Sequence, residues 1–318
     1  MNPTRRALLT ALEGGPVDGP TLADRLDISR AAVWKQVEAL REAGFVIESS
    51  DGGYQVIEVP EYGAEALAFG LDAPYDVEYR AQVASTNDRA RELAAGGAAD
   101  VVVVADEQTG GRGRLDRAWA APSGGVWASL VLRPERPPAE VPMYTLAAAV
   151  AVVRAAREAG VEATIKWPND VLVAGDAEGA DNERKLAGIL TEMEGEADRV
   201  SWLVIGIGVN ANVDRDALPS GATSLRAAVG DVDRRKFLQR VLEEVHDLTG
   251  GDTDLRTVLD AWREHASTLG RRVRVETPRG PVEGRAADIR FPGSLVVETD
   301  DGERVVHAGD CEHLRPTD

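Results

Sequence analysis

The 318 residues carry 43% apolar side chains and leave room for two or three domains of ordinary size, which excludes both a single small module and a wholly disordered chain. Thirty-six basic residues stand against 54 acidic ones, a net charge of −18, and only four of the basic residues are lysines: Lys35, Lys166, Lys185 and Lys236. Such a balance excludes a chain that grips polyanions over its whole surface, and fits either an acidic surface suited to high salt or a codon bias toward arginine.

The chain begins with Arg5-Arg6 before Ala7-Leu8-Leu9, but Glu13 ends the apolar stretch too early for an export signal and no small-residue cleavage site follows. A helix is expected over Arg6 to Leu12, closed by Gly14-Gly15-Pro16, and a second starts near Gly19-Pro20-Thr21 with Leu22, Ala23 and Leu26 on one face. Ser29 has the chemistry of an N-cap for a third helix that runs through Val33 and Val37 to Leu40. Two short apolar stretches around Ser49-Ser50-Asp51-Gly52 then read as a hairpin, giving a winged helix-turn-helix over residues 1–60. A third helix of this kind reads DNA from its exposed face, which makes Ser29, Arg30, Trp34 and Lys35 the candidate DNA contacts. Residues 1–60 nevertheless hold six basic and nine acidic side chains, net −3, so a dimerising or interdomain scaffold stays open beside DNA binding.

Pro60 to Pro74 reads as a linker, and residues 61–268 as a larger mixed domain. Strands are expected at Val77–Val83, Val101–Ala105, Val126–Leu132 and Val200–Gly206, and helices at Asn87–Ala95, Tyr144–Ala159 and Arg235–Leu248, an α+β order. The longest apolar run, Tyr144 to Val153, falls far short of the roughly 20 residues that span a bilayer, so no transmembrane helix and no membrane partner are expected. Residues 174–184 read as an acidic hairpin tip. Past Gly270, short alternating stretches separated by turns predict a small β-barrel over residues 269–318. Cys311 is the sole cysteine, so no internal disulfide can form and a cytoplasmic chain is expected; the four histidines show no zinc spacing.

The densest chemistry lies at Gln108-Thr109-Gly110-Gly111-Arg112-Gly113-Arg114-Leu115-Asp116-Arg117-Ala118-Trp119. Glycines let backbone approach a ligand and guanidinium groups grip carboxylate or phosphate oxygens, so an anion is the expected guest; a flexible surface loop is the plain alternative. The loop is neither a P-loop nor a GxGxxG fingerprint. Two of the four lysines sit in Lys166-Trp167-Pro168-Asn169-Asp170 and Lys185-Leu186-Ala187-Gly188-Ile189-Leu190. A lysine kept in an arginine-rich chain suggests a need for a compact point charge, and Lys185, before an apolar strand, is the first choice. Asp170 is placed to orient Lys185 or to hold magnesium on phosphates. Ser85-Thr86-Asn87 reads as a helix start with donors turned to a ligand, and Gly206-Ile207-Gly208-Val209-Asn210 as a strand end that a ligand can approach closely.

Taken in order, these motifs resemble biotin protein ligases, and the winged helix and carboxy-terminal barrel (SH3-like in that family) resemble the bifunctional ones that also repress the biotin operon. The resemblance covers essentially the whole chain. It implies attack of the biotin carboxylate on the α-phosphate of ATP, with magnesium, then transfer of biotin to a lysine of a biotin carboxyl carrier domain. It implies that Ser85, Thr86, Asn87, Gln108, Arg112, Gly113, Arg114 and Lys185 bind biotin, with Arg112, Arg114 and Lys185 catalytic. Trp119, Asn169, Asp170 and Asn210 would serve the nucleotide, Asp170 with magnesium. Operator DNA and a second copy of the chain are the further implied partners. The chain departs from the family at Asp116, where glycine is usual, and in about eight extra residues before Lys185. The rival readings are a biotin-sensing regulator with little ligase activity and a lipoate or octanoate ligase.

Overall fold

The computed structural model describes residues 3–175 and 183–314, so most of the predicted acidic hairpin tip lies outside the described residues. Helices α1 (Pro3–Glu13), α2 (Gly19–Leu26) and α3 (Arg30–Glu42) precede a hairpin of β1 (Val46–Ser50) and β2 (Gly53–Glu58). Asp18 caps α2 by accepting from Thr21 N at 2.9 Å, and Asp27 turns the chain with φ 51°, a left-handed geometry that aspartate tolerates. Ser29 caps α3 by accepting from Ala32 N at 3.2 Å. Leu8, Leu12, Leu22, Val33, Val37, Leu40 and Ile47 close a small separate core.

The predicted linker is not free chain. It contains α4 (Ala64–Ala68), Leu67 and Tyr75 are buried, and the Gln239 side-chain amide donates to the carbonyls of Leu67 and Phe69, both at 2.8 Å. Apolar Leu67 and Tyr75 dock the segment because burying them outweighs the freedom lost.

The central sheet has the order β3-β4-β5-β9-β8-β7-β6: β3 is Asp76–Val83, β4 Val101–Gln108, β5 Val126–Leu132, β6 Ala163–Lys166, β7 Asp170–Ala174, β8 Glu183–Gly195 and β9 Val200–Val209. Among the described strands of this sheet only β3 and β4 pair in parallel, joined through α5 (Thr86–Ala95). The first part of β4, Val101–Ala105, and most of β5 are apolar on both sides because both faces are covered. Val102, Val104, Ala128 and Leu130 pack toward α6 (Val141–Glu158), while Val103 and Val131 pack toward Ala90 and Ala94 of α5. Helix α6 is apolar around most of its length, with Arg154, Arg157 and Glu158 in its last turns. The segment Pro138–Glu158 has the length and composition to cross a bilayer, longer than the sequence run suggested, but 67% of its most apolar window is buried inside the protein, against the sheet, α8 (Arg234–Thr249) and α9 (Arg256–His265). The short α7 (Leu225–Val229) follows β9, and neither it nor α9 was expected.

The last strands, β10 (Arg272–Glu276), β11 (Val282–Arg290), β12 (Ser294–Thr299), β13 (Gly302–Val306) and β14 (Asp310–His313), form an antiparallel sheet of order β13-β12-β11-β10-β14. Val273, Val275, Ile289, Leu295 and Cys311 join the same core as α6 and the central sheet. Trp167 Nε1 donates to Gly293 O at 3.0 Å, and Arg114 to Gly309 O at 2.7 Å, which brings the start of β14 to the central sheet.

Candidate active site

The floor of the site is where α5 begins beside the end of β4. Ser85 caps the helix through Asp88 N at 3.3 Å, leaving Thr86 and Asn87 buried but turned toward the sheet. Gln108 Oε1 accepts from Thr86 N at 2.7 Å and from Thr86 Oγ1 at 3.0 Å. Ser129 Oγ, on β5, lies 2.7 Å from Thr86 Oγ1 and 2.6 Å from Asn87 Oδ1, while Asn87 Nδ2 donates to Glu192 at 2.7 Å. Sequence reasoning missed Ser129 and Glu192; a lone serine inside an apolar strand, Val126–Leu132, was the available signal. A side chain on Gly206 would put Cβ 2.1 Å from Asn87 Oδ1, so the glycine makes room for this floor.

Above the floor the loop from Gly111 to Trp119 folds back on itself. Trp119 N donates to Gly111 O at 2.9 Å and Gly113 N to Arg117 O at 2.8 Å. At its tip Leu115 and Asp116 both take left-handed backbone, φ 55° and 54°, so aspartate makes part of the bend. Arg112 pairs with Asp88, Arg117 with Asp310 at 2.5 Å, and Arg114 donates to Asn169 Oδ1 at 2.9 Å.

Lys185 lies inside β8 rather than before it. Opposite it β7 shifts register, Val171 facing Ala187 and Leu172 facing Lys185, so Leu186 is an extra residue. Leu186 and Ala187 therefore both enter the core, and Lys185 and Gly188 both face the site. Lys185 Nζ sits 2.6 Å from Asp170 Oδ1 and 5.1 Å over the Trp119 ring. One cavity of about 240 Å³ is lined by Ser85, Thr86, Asn87, Gln108, Arg112, Gly113, Arg114, Trp119, Asn169, Asp170 and Lys185. Its lining carries four cations, Arg112, Arg114, Arg117 and Lys185, against the two carboxylates of Asp170 and Asp310, in a chain that is otherwise strongly acidic.

On the side assigned to nucleotide, Trp119 lies against glycines of two strands: a Cβ on Gly188 or Gly208 would come within 3.2 or 3.0 Å of its ring. Its Nε1 is buried with no hydrogen-bond partner among the described residues. Asn169 holds Arg114 and donates to Ile189 O at 2.9 Å. Asn210 requires correction. It is 2% exposed, does not line the cavity, and its amide donates to Thr223 O at 2.9 Å, tying down the loop behind Lys185. Among the described residues no three His, Cys, Asp or Glu side chains converge on a metal site; Asp170 Oδ1 is buried and has no partner beyond Lys185. A magnesium ion carried by nucleotide phosphates asks for only one or two carboxylates, which Asp170 satisfies. On α3, Arg30, Trp34 and Lys35 share an exposed face, with Trp34 57% exposed, while Ser29 is engaged as the helix cap.

The sequence matches the Biotin/lipoate A/B protein ligase family over residues 79–210, an HTH domain over 4–55 and the Biotin protein ligase C terminal domain over 268–314. It is 38% identical to the bifunctional ligase/repressor BirA of Bacillus subtilis, with 93% of each chain covered. It is 35% identical to the biotin–acetyl-CoA-carboxylase ligase of Mycobacterium tuberculosis, over 74% of this chain and 88% of that one. Among solved structures, the biotin protein ligase of Aquifex aeolicus in complex with biotin and ATP superposes with a TM-score of 0.61 at 25% identity, over 76% of this chain and 99% of that one.

Proposed function

Since the chain belongs to the biotin protein ligase family, in the branch that joins a ligase to a DNA-binding repressor module, we propose how its cavity carries out the reaction. The protein is an ATP-dependent biotin protein ligase that forms biotinyl-AMP and passes biotin to a carboxylase carrier domain, and its winged helix makes it a ligase/repressor. A biotin-sensing regulator with little ligase activity and a lipoate or octanoate ligase are not favoured by these relatives.

In the reaction a biotin carboxylate oxygen bonds to the α-phosphorus of ATP as the bond to pyrophosphate breaks. Two anionic reactants, the biotin carboxylate and the ATP phosphates, meet at that step, so their mutual repulsion is a barrier to lower. Lys185, Arg112 and Arg114 are assigned that role, because their heads share one cavity whose lining carries an excess of positive charge. Arg114 is the best placed of the three. Its contacts, Asn169 Oδ1 and Gly309 O, are neutral acceptors, whereas Arg112 and Lys185 must exchange an aspartate for the incoming anion. Ser85, Thr86, Asn87 and Gln108 are assigned to the ureido ring, whose N–H and C=O groups match a floor of hydroxyls and amides. Asp170 would hold magnesium with the nucleotide phosphates, supplying further charge neutralisation. In the second step the amine of the acceptor lysine bonds to the acyl carbon and AMP leaves with the carboxylate–phosphate oxygen. No enzyme nucleophile is needed.

For the winged helix, Arg30, Trp34 and Lys35 are assigned to DNA, and a homodimer is proposed because two-fold related helices match palindromic half-sites. The observation that carries the ligase assignment is the single cavity shared by Arg112, Arg114 and Lys185 above the Thr86–Gln108 floor. Purified protein supplied with biotin, Mg-ATP and a carrier domain should label that domain and release pyrophosphate. A folded protein that does neither at low or high salt refutes the assignment.

A further inference from the structure

Beneath the cavity floor the polar side chains form a hydrogen-bonded chain whose direction is set from its far end. Asn87 Nδ2 faces two groups that can only accept, the Glu192 carboxylate at 2.7 Å and Leu190 O at 3.4 Å, so the oxygen of that amide must face the other way. It lies 2.6 Å from Ser129 Oγ, a contact that requires the one proton of the serine. Ser129 therefore has none left for Thr86 Oγ1, 2.7 Å away on its other side, and can only accept there. The single proton of Thr86 has two acceptors inside the protein, Ser129 Oγ at 2.7 Å and Gln108 Oε1 at 3.0 Å. Whichever takes it, Thr86 Oγ1 offers the cavity only lone pairs. Gln108 Oε1 also accepts from Thr86 N, which turns the donating nitrogen of that amide away from Thr86. The floor thus sets an acceptor beside a donor. Neither Ser129 nor Glu192 lines the cavity, and Glu192 is held from outside by Arg91 at 3.2 Å.

We propose that Glu192, acting through Asn87 and Ser129, is the positioning residue that fixes the hydrogen-bond polarity of this floor and so makes it select a ring that bears N–H. This deepens the ligase assignment and rests on its placing of the ureido ring at Thr86 and Gln108. A ring N–H then meets Thr86 while the ring carbonyl takes the Gln108 amide. An octanoyl or lipoyl chain brings no such donor and leaves the buried lone pairs unpaired. Without the carboxylate, the Asn87 amide is released to turn over, Ser129 donates to Thr86, and a lone pair that the ring needs is occupied.

The test is equilibrium binding of the full chain, without nucleotide, to biotin and to its two cyclic carbamates, in each of which one ureido N–H is replaced by a ring oxygen. The wild type should bind the carbamate whose oxygen faces Thr86 about a hundredfold more weakly than biotin, because lone pairs then face lone pairs. Glu192→Gln loses the charge and the Arg91 pair but keeps an acceptor for Asn87, and should keep that ratio. Glu192→Met keeps the length without the acceptor, and should shrink the ratio to about tenfold or less. A merely loosened site would weaken biotin and carbamates together and leave the ratio in place. Should Glu192→Met lose its near-ultraviolet tryptophan signal, Glu192→Lys decides instead: an ammonium only donates, so it turns Asn87 over and should shrink the ratio as well. A ratio that neither variant loses, or that Glu192→Gln loses as fully as the other, overturns the proposal, as does a wild type that binds both carbamates as well as biotin. Those results leave the ligase assignment standing, since biotin is still bound. Folded wild type that takes up no biotin refutes the assignment of the floor itself, and the proposal with it.

Discussion

Lysine 185 works within a confined space. Its Cε lies 3.2 Å from where a Cβ on Gly188 would stand, and its Nζ touches Asp170 and stands over the Trp119 ring. A planar guanidinium is wider than an ammonium and needs a flat partner, so arginine does not substitute here although this chain uses arginine almost everywhere else. Lys185→Arg should lower kcat/KM for pyrophosphate release by about a hundredfold, close to Lys185→Ala, with the melting temperature held within about 2 °C; an arginine variant near wild-type rate would show that any cation suffices. A second residue, away from the site, sets a pH response. His265, at the end of α9, is 6% exposed, neither ring nitrogen has a hydrogen-bond partner among the described residues, and burial, helped by Arg157, holds its pKa below 6.5. The folded protein thus keeps His265 neutral while the unfolded chain takes up a proton below about pH 6.5, so stability falls with pH from there down to the lowered native value, by at most about 1.4 kcal/mol per unit. His265→Phe removes two unpaired nitrogens and that proton. Thermal melts at pH 7 and pH 5 should show a smaller difference in the variant than in the wild type, and an equal difference removes His265 as the cause.

At the scale of elements, the sequence was most legible where one local rule decided the outcome. Ser29 and Pro20 mark helix starts by capping and by proline's fixed φ, and the apolar run Val126–Leu132 defined β5 at both ends. What stayed hidden depends on partners remote in sequence. The bulge at Leu186 is the clearest instance: with strict alternation Lys185 would share a face with Ala187 and Ile189 and point into the core, and only the register against β7 turns it into the cavity. Asn210 was drawn to the site by its motif but is drawn away by the backbone of Thr223, which has no sequence signature. The segment 60–74 looked like a linker because α4 is only five residues long, and its docking is settled by Gln239 far along the chain. Among the described residues of α3, Trp34 is the one large apolar side chain left open to solvent, set between Arg30 and Lys35 on the face that the helix-turn-helix presents. Burial elsewhere does not depend on it. Trp34→Ala should therefore leave the melting temperature and pyrophosphate release unchanged while weakening binding to a selected operator duplex at least tenfold in the presence of biotin and ATP. Equal operator binding by variant and wild type would show that this face does not read DNA.

Across the whole molecule the acidic excess is general: residues 61–268, about two thirds of the chain, hold −13 of the −18, yet the cavity within them is lined by an excess of cations. Substrate anions are thus drawn to one place on a surface that repels them elsewhere, which favours selective over general polyanion binding. The winged helix stands apart from that cavity. It meets the rest of the chain through Arg5–Glu65, Arg6–Asp76, Glu13 with Gly70 N and the Phe45–Phe69 edge contact, and every residue assigned to biotin or nucleotide lies beyond residue 84. The ion pairs are partly exposed, worth a few tenths to about 1 kcal/mol each, and the Aquifex ligase superposes along 99% of its length while about a quarter of this chain has no counterpart in it. Removal of residues 1–60 should therefore uncover Phe69 and lower the melting temperature by a few degrees, yet leave kcat/KM for carrier biotinylation within about threefold of the full chain and abolish operator binding. Carrier biotinylation and operator binding measured on one preparation decide it. A truncated protein that keeps its tryptophan spectrum but no longer forms biotinyl-AMP would mean that the winged helix reaches the cavity through the docked segment 60–74, and that the two activities are not separable.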